Sequence, residues 1–294
     1  MKHHYGTPIS INRTELISTK PLRTVFLLEG RKDDREVRFA LHVRQRPYPN
    51  TQSEERHAIK TALSNGVLTV ELIHFDESQT NPFGAPFLLE TYIKGNPFLD
   101  CKNLFKQAPE KLFDNMVKLH RIKCDQKNAS VPDSEFLSKY KAECLSKLTG
   151  SSLIDVRLLN RMFDDVLQWQ KKMDFSSHTS LLHGDLHYSN MIITANDSFY
   201  FIDWEMASVG DYCKDLVYFK ARTLDYLFPE ENRSLFNSLI RYYKEAFNED
   251  DLEIRMRYYL SYQYLQIIWQ CCFPILTEQW LSFYFKKYCE FTQL

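Results

Sequence analysis

Leu182-His183-Gly184-Asp185-Leu186-His187-Tyr188-Ser189-Asn190, followed by Ile202-Asp203-Trp204-Glu205, is the part of the chain whose reading decides the fold. An aspartate stands five residues before an asparagine in a short polar turn, and a second aspartate closes an apolar run. Carboxylates and an amide oxygen spaced this way suit a divalent metal and a nucleotide's phosphates, with one carboxylate left to orient an attacking hydroxyl.

The segments on either side differ in character. Glu36 to Arg44 alternates, with Val37, Phe39, Leu41 and Val43 on one face and Arg38, Ala40, His42 and Arg44 on the other, which is half-buried strand behaviour. Thr24 to Leu28 reads as the preceding strand, joined to it through the polar turn Gly30-Arg31-Lys32-Asp33-Asp34. Ser53-Glu54-Glu55 opens a helix with Ala58, Ile59, Ala62 and Leu63 on one face, and Asn65-Gly66 ends it. Strands follow at Leu68 to Phe75 and Pro86 to Tyr92. From Asp100 onward the pattern predicts helices over 102–122, 133–147, 153–172, 211–227, 231–246, 251–272 and 278–292, interrupted by short strands and turns around 180–203.

The 294 residues are long for one core and suit one large two-lobed unit or two domains. Net charge of −1 gives no basic surplus of the kind that neutralises a phosphate backbone, so no nucleic-acid partner is expected. Seven cysteines without a CxxC pair point to a reducing, cytoplasmic location. The first residues, Met1-Lys2-His3-His4-Tyr5, contain no apolar signal core. The longest apolar stretch, Tyr264 to Leu276, is broken by Gln266, Gln270 and Pro274 and is too short to span a bilayer, so no membrane insertion is expected.

His183 to Asn190 resembles the catalytic loop of the aminoglycoside phosphotransferase and choline kinase superfamily, relatives of the protein kinases in which glycine commonly replaces the arginine of the His-Arg-Asp loop. Ile202-Asp203-Trp204-Glu205 is similar to that superfamily's metal-binding segment. Glu90-Thr91-Tyr92-Ile93-Lys94-Gly95 resembles its hinge, Leu119-His120-Arg121-Ile122 the helix end after it, and Gly210-Asp211 with Asp215-Leu216 the helix start after the metal segment. The resemblance implies an α+β, bilobal protein-kinase-like fold. Residues 1–94 would form a small β-rich N-lobe covering the nucleotide, and 95–294 a large, mainly helical C-lobe for catalysis and acceptor binding.

The same resemblance implies a phosphotransferase that uses Mg²⁺ and ATP (or GTP) on a small-molecule hydroxyl acceptor. Asp185 would be the catalytic base, and Asn190 and Asp203 the metal ligands. Glu55 would be the helix glutamate, and the backbone of Glu90 to Tyr92 would meet the adenine edge. The cation expected on the strand before the helix has two candidates on one face. Arg44 supplies a permanent charge, whereas aligning Phe39-Ala40-Leu41 with the family's apolar run puts His42 in the basic position. Ser18-Thr19-Lys20-Pro21-Leu22 stands where a glycine-rich phosphate loop is expected, and it contains no glycine.

Two other readings of the loop stand beside this one. His183, Asp185 and His187 alternate and would ligate zinc if the segment were a strand, with His178 as a fourth ligand; Gly184 favours a turn instead. A nucleotide-binding pseudokinase serving as an interaction module is the other. Glu249-Asp250-Asp251 with Glu253 reads as a solvated helix start before it reads as a site for a cationic acceptor. The aromatic-rich final helices read as core before they read as a box for a quaternary ammonium.

Overall fold

The computed structural model describes residues 9–19, 23–44, 52–125, 134–148, 155–175, 178–271 and 278–292. Lys20-Pro21-Leu22, residues 1–5, the predicted helix ends at 133, 153–154 and 272, and residues 273–276 of the apolar stretch lie outside the described residues. The chain divides into two compact units, residues 1–122 with 183–208, and residues 123–182 with 209–294.

In the first unit, β1 (Ser10–Thr19), β2 (Arg23–Lys32), β3 (Arg35–Arg44), β4 (Leu72–Asp76) and β5 (Phe87–Thr91) form an antiparallel sheet in the order β1-β2-β3-β5-β4. The β2–β3 turn is shorter than the sequence suggests. Lys32 pairs with Arg35, and only Asp33 and Asp34 turn, both with positive φ, as a two-residue hairpin requires. Leu28, Phe39, Leu41, Ile73, Phe87 and Leu89 form the sheet's core. Burying each of these large side chains is worth about 1.5–3 kcal/mol.

The other face of β3 is also buried, and His42 and Arg44 lie there at 7% exposure each. Helix α1 (Gln52–Ser64) buries Ala58, Ile59 and Ala62 but leaves Leu63 exposed, so the apolar face is narrower than predicted. Gly66, at φ 76, closes its C-terminus.

The strand predicted from Leu68 begins only at Leu72; Thr69 instead bridges to Phe201. The predicted helix over 102–122 is two helices, α2 (Lys102–Gln107) and α3 (Glu110–His120). Pro109 separates them by forcing Ala108 out of the helical region, to φ −140. A second sheet in this unit has the order β6-β8-β9, from β6 (Asn96–Pro97), β8 (Met191–Ile193) and β9 (Phe199–Phe201).

The second unit is mainly helical, with one short strand, β7 (Ser180–Leu182). It holds α4 (Ser134–Leu148), α5 (Val156–Gln170), α6 (Cys213–Phe219), α7 (Asp225–Leu227), α8 (Asn232–Phe247), α9 (Leu252–Cys271) and α10 (Glu278–Thr292). Helix α9 packs against α4, α5, α6 and α10 and buries residues around most of its circumference, as a central helix must. Its aromatic side chains are core: Tyr258, Tyr259 and Tyr264 are buried, and Trp269 stacks on Tyr140 with ring centroids 4.3 Å apart. A π-helical turn, Lys220–Leu224, joins α6 to α7, and Asp225 accepts hydrogen bonds there from Lys220 Nζ (2.8 Å) and Tyr264 OH (2.7 Å).

Candidate active site

The catalytic loop turns at Gly184, whose φ of 81 and close approach to the Met206 carbonyl leave no room for a Cβ. That turn rules out the extended strand on which the zinc reading depends. His183 is fully buried, and its Nε2–H donates to the Ile202 carbonyl at 3.0 Å, tying the loop to the metal segment. Among the described residues no three His, Cys, Asp or Glu side chains converge as a metal cluster.

Beyond the turn, a short 3₁₀ segment, Tyr188–Asn190, brings Asn190 back to Asp185. Asn190 Nδ2 donates to the Asp185 carbonyl (2.9 Å) and to Asp185 Oδ2 (2.8 Å). Both donors of the amide therefore face Asp185, and its carbonyl oxygen is the atom left to coordinate. His187 Nε2 lies 3.4 Å from the same Asp185 Oδ2, and its Nδ1 lies 3.0 Å from Ser189 Oγ. Asp185 is thus held from two sides while its side chain stays 19% exposed.

The metal segment is fixed just as closely. Ile202 N–H donates to the Asn190 carbonyl (3.0 Å), and Phe201 N–H to the Leu68 carbonyl (2.9 Å). Trp204, fully buried, donates Nε1–H to Thr69 Oγ1 at 2.7 Å, and Thr69 in turn donates to the Phe201 carbonyl. Asn115 from α3 bonds to Leu68 N–H, the Leu68 carbonyl and the Phe199 carbonyl. Within this frame Asp203 adopts φ 71, a left-handed conformation that surrounding structure must maintain in a non-glycine residue. Asp203 and Asn190 together offer hard oxygens. This donor set fits Mg²⁺, which takes few protein ligands and completes its shell with phosphate and water.

On the sheet side, Arg44 and His42 of β3 have different partners. Arg44 pairs with Glu55 of α1, and His42 Nε2 meets Glu90 Oε1 at 2.9 Å. Tyr92 N–H donates to the Arg38 carbonyl and Thr91 N–H to the Glu71 carbonyl, so both amides are engaged within the sheet.

The residue that sequence reasoning missed is Arg23. Only 2% exposed, it pairs with Asp203, lies 3.3 Å from Glu205 Oε2 and 3.6 Å from Glu55 Oε1. Burial opposes its charge, but Asp203, Glu205, Glu55 and Glu90 outweigh that and push its pKa above the ordinary arginine value. No local motif marks Arg23; its acidic partners are 32 to 182 residues away in sequence.

In the helical unit the run at 249–253 is only partly the solvated helix start expected. Glu249 accepts from Tyr212 OH and pairs with Arg255, while Arg255 also reaches Asp211 (2.7 Å) and Asp251 (3.1 Å). His178 lies 3.6 Å from Glu249 and 3.1 Å from Asp251. Asp211 additionally caps α6 by accepting from Cys213 N–H at 2.9 Å.

A model of the APH phosphotransferase enzyme family matches residues 22–255. The chain belongs to that family. It is 33% identical over 132 residues to the LicA homolog of Mycoplasma capricolum subsp. capricolum. The match spans 43% of this chain and 47% of that relative.

Among solved structures, its fold is similar to that of the spectinomycin phosphotransferase APH(9)-Ia, in complex with ADP and spectinomycin. The TM-score is 0.66 at 16% identity, over 97% of this chain and 91% of the other. It is also similar to a choline kinase from Cryptosporidium parvum Iowa II. There the TM-score is 0.60 at 15% identity, over 96% and 90% of the two chains. The chain therefore has the kinase-like fold that its loop implied. Among the described residues no helix is long and apolar enough to cross a membrane.

Proposed function

We propose that the chain transfers the γ-phosphate of ATP (or GTP), with Mg²⁺, to a hydroxyl of a small molecule of the choline or ethanolamine, aminoglycoside, sugar or amino-alcohol type. The observation that carries this reading is the Asp185–Asn190 contact joined through the Ile202 N–H bond to Asp203. Asp185 accepts a hydrogen bond from the acceptor hydroxyl and receives its proton as the oxygen attacks phosphorus; general-base assistance of this kind is worth about 10²–10⁴-fold. Asn190 and Asp203 would hold Mg²⁺, which when bound supplies charge neutralisation to the phosphates.

Residues 1–94 are assigned the nucleotide. Arg44, His42 and Glu90 of the sheet and Glu55 of α1 frame its site, and the Glu90–Tyr92 segment borders adenine. With the Thr91 and Tyr92 amides engaged in the sheet, adenine recognition falls to the remaining backbone groups there. Residues 95–294 are assigned catalysis and the acceptor. The site is assigned to a cytoplasmic enzyme.

The test is an ATP-consumption screen against choline, ethanolamine, aminoglycosides, sugars and homoserine, with Asp185→Ala as control. The variant should lose transfer and keep its fold, because Asn190 Nδ2 retains its bond to the residue-185 carbonyl, which alanine also supplies. Undiminished turnover in Asp185→Ala would refute the mechanism. A nucleotide-binding pseudokinase is the second reading, and the grip of Arg23 on Asp203 is the observation in its favour. Nucleotide binding without transfer to any acceptor would establish it.

A further inference from the structure

We propose that the outer edge of β1 pairs with β1 of a second copy of this chain, antiparallel about a two-fold axis at Thr14. Strand β1 ends the five-stranded sheet, and among the described residues no strand pairs with its outer edge. An end strand presents backbone N–H and C=O groups to any strand that fits, and proteins commonly blunt it with proline or lysine. Ser10–Thr19 contains neither. Its Ile11, Leu16 and Ile17 are exposed, at 37%, 56% and 48%.

The sequence of the strand selects the partner. Turned end for end about Thr14, the strand is complementary to itself. Ser10 then meets Ser18 of the second copy, Ile11 meets Ile17, Asn12 meets Leu16, Arg13 meets Glu15, and Thr14 meets its own counterpart. The register is also allowed, because opposed residues in an antiparallel ladder must either both bond across it or both not, and Arg13 and Glu15 share that phase.

Arg13 and Glu15 already touch along one strand, Nη2 to Oε2 at 2.6 Å, and both side chains are more than half exposed. Pairing two copies closes a square in which each arginine has a glutamate along its own strand and another across, with like charges on the diagonals. Glu29 of β2, 3.1 Å from Arg13 Nη1, orients that arginine before a partner arrives. On the opposite face, Thr14 and Leu16 stand beside Leu28 and Phe26 of the sheet's core, and the second strand covers Leu16 there. Shifts in the β1–β2 register at Ile11/Arg13 and Leu16/Ser18 bulge the strand and leave Arg13–Leu16 as its regular centre. A ladder that short makes a small interface, so the dimer is weak, with a Kd on the order of 10–100 µM.

Sedimentation velocity of the native chain between about 1 µM and about 500 µM brackets that Kd and should show monomer giving way to dimer. Glu15→Arg and Arg13→Glu each set like charges opposite one another and should weaken the dimer about 10-fold or more. The double variant, and an equimolar mixture of the two single variants, restore opposite charges and should dimerise about as well as the native chain. Thr14→Cys should cross-link to itself on oxidation, above the background of the native cysteines. Leu16→Cys should not, because its counterpart lies about 14 Å away along the ladder, beyond disulfide reach. All four positions are exposed, so the variants should melt like the native chain.

A chain that stays monomeric throughout, or a dimer that neither single variant weakens, would overturn the proposal. So would a double variant that fails to recover, or Leu16→Cys cross-linking as readily as Thr14→Cys.

Discussion

Asn115→Leu tests the frame behind the metal segment. The asparagine is 1% exposed and bonds to Leu68 N–H (2.8 Å), the Leu68 carbonyl (3.1 Å) and the Phe199 carbonyl (3.0 Å). Leucine has similar volume but bonds to none of them. The Leu68 carbonyl keeps the Phe201 N–H as a partner, so two groups lose theirs, the Leu68 N–H and the Phe199 carbonyl. Each unmade bond costs about 1–3 kcal/mol. The Leu68 amide is only partly buried and the leucine side chain gains apolar burial, so the net loss is about 3 kcal/mol, within the tail of large single-residue effects. Urea unfolding should show a lower midpoint with an unchanged slope, and hydrogen exchange at the Phe201 amide should quicken. A loss under about 1 kcal/mol would refute the assignment of Asn115 as the clamp between residue 68 and β9.

Gly184→Ala should cost more than about 2 kcal/mol and abolish transfer, because a Cβ meets the Met206 carbonyl and the positive φ strains alanine; near-native melting would contradict this. Burial raises the pKa of Glu249, but His178, Tyr212 and Arg255 outweigh it and bring the pKa to about 2. A depressed carboxylate adds stability above the ordinary value near 4.5 that is lost as pH falls toward 2, so chemical denaturation across that range should show about 2 kcal/mol of extra loss that Glu249→Gln lacks. The His178 pKa is raised by its hydrogen bond to Glu249, so its contribution is present below about 6.5 and should fade as pH rises above that; His178→Asn should flatten this slope.

The sequence reveals most where periodicity and motif coincide. His183 to Asn190 identifies its own loop because glycine, aspartate and asparagine each have a fixed task there. The helices of the second unit follow from apolar spacing to within a few residues. Strand β1 is different: nearly all of its side chains are exposed, so no alternation marks it, and backbone pairing to β2 holds it in place. Pro109 was a legible break in the 102–122 pattern. Arg23 and Arg255 were not legible, because their meaning comes from carboxylates that only the fold brings near. The same holds for Asn115, whose partners are peptide groups and so leave no trace in residue type.

The pairing of Arg23 with Asp203 also bears on how the chain is made. Its two members are 180 residues apart, and the Thr69–Phe201 bridge beside it spans 132. A nascent chain emerging in order exposes Arg23, Arg44 and Glu55 long before Asp203 and Glu205 exist. The first unit therefore cannot close until the ribosome has passed residue 205, after residues 123–182 of the other unit have already appeared. Closing so long a loop adds little entropic penalty beyond that of a shorter one. The delay is one of sequence order, and it makes the assembly of the metal segment a late event in the protein's biogenesis.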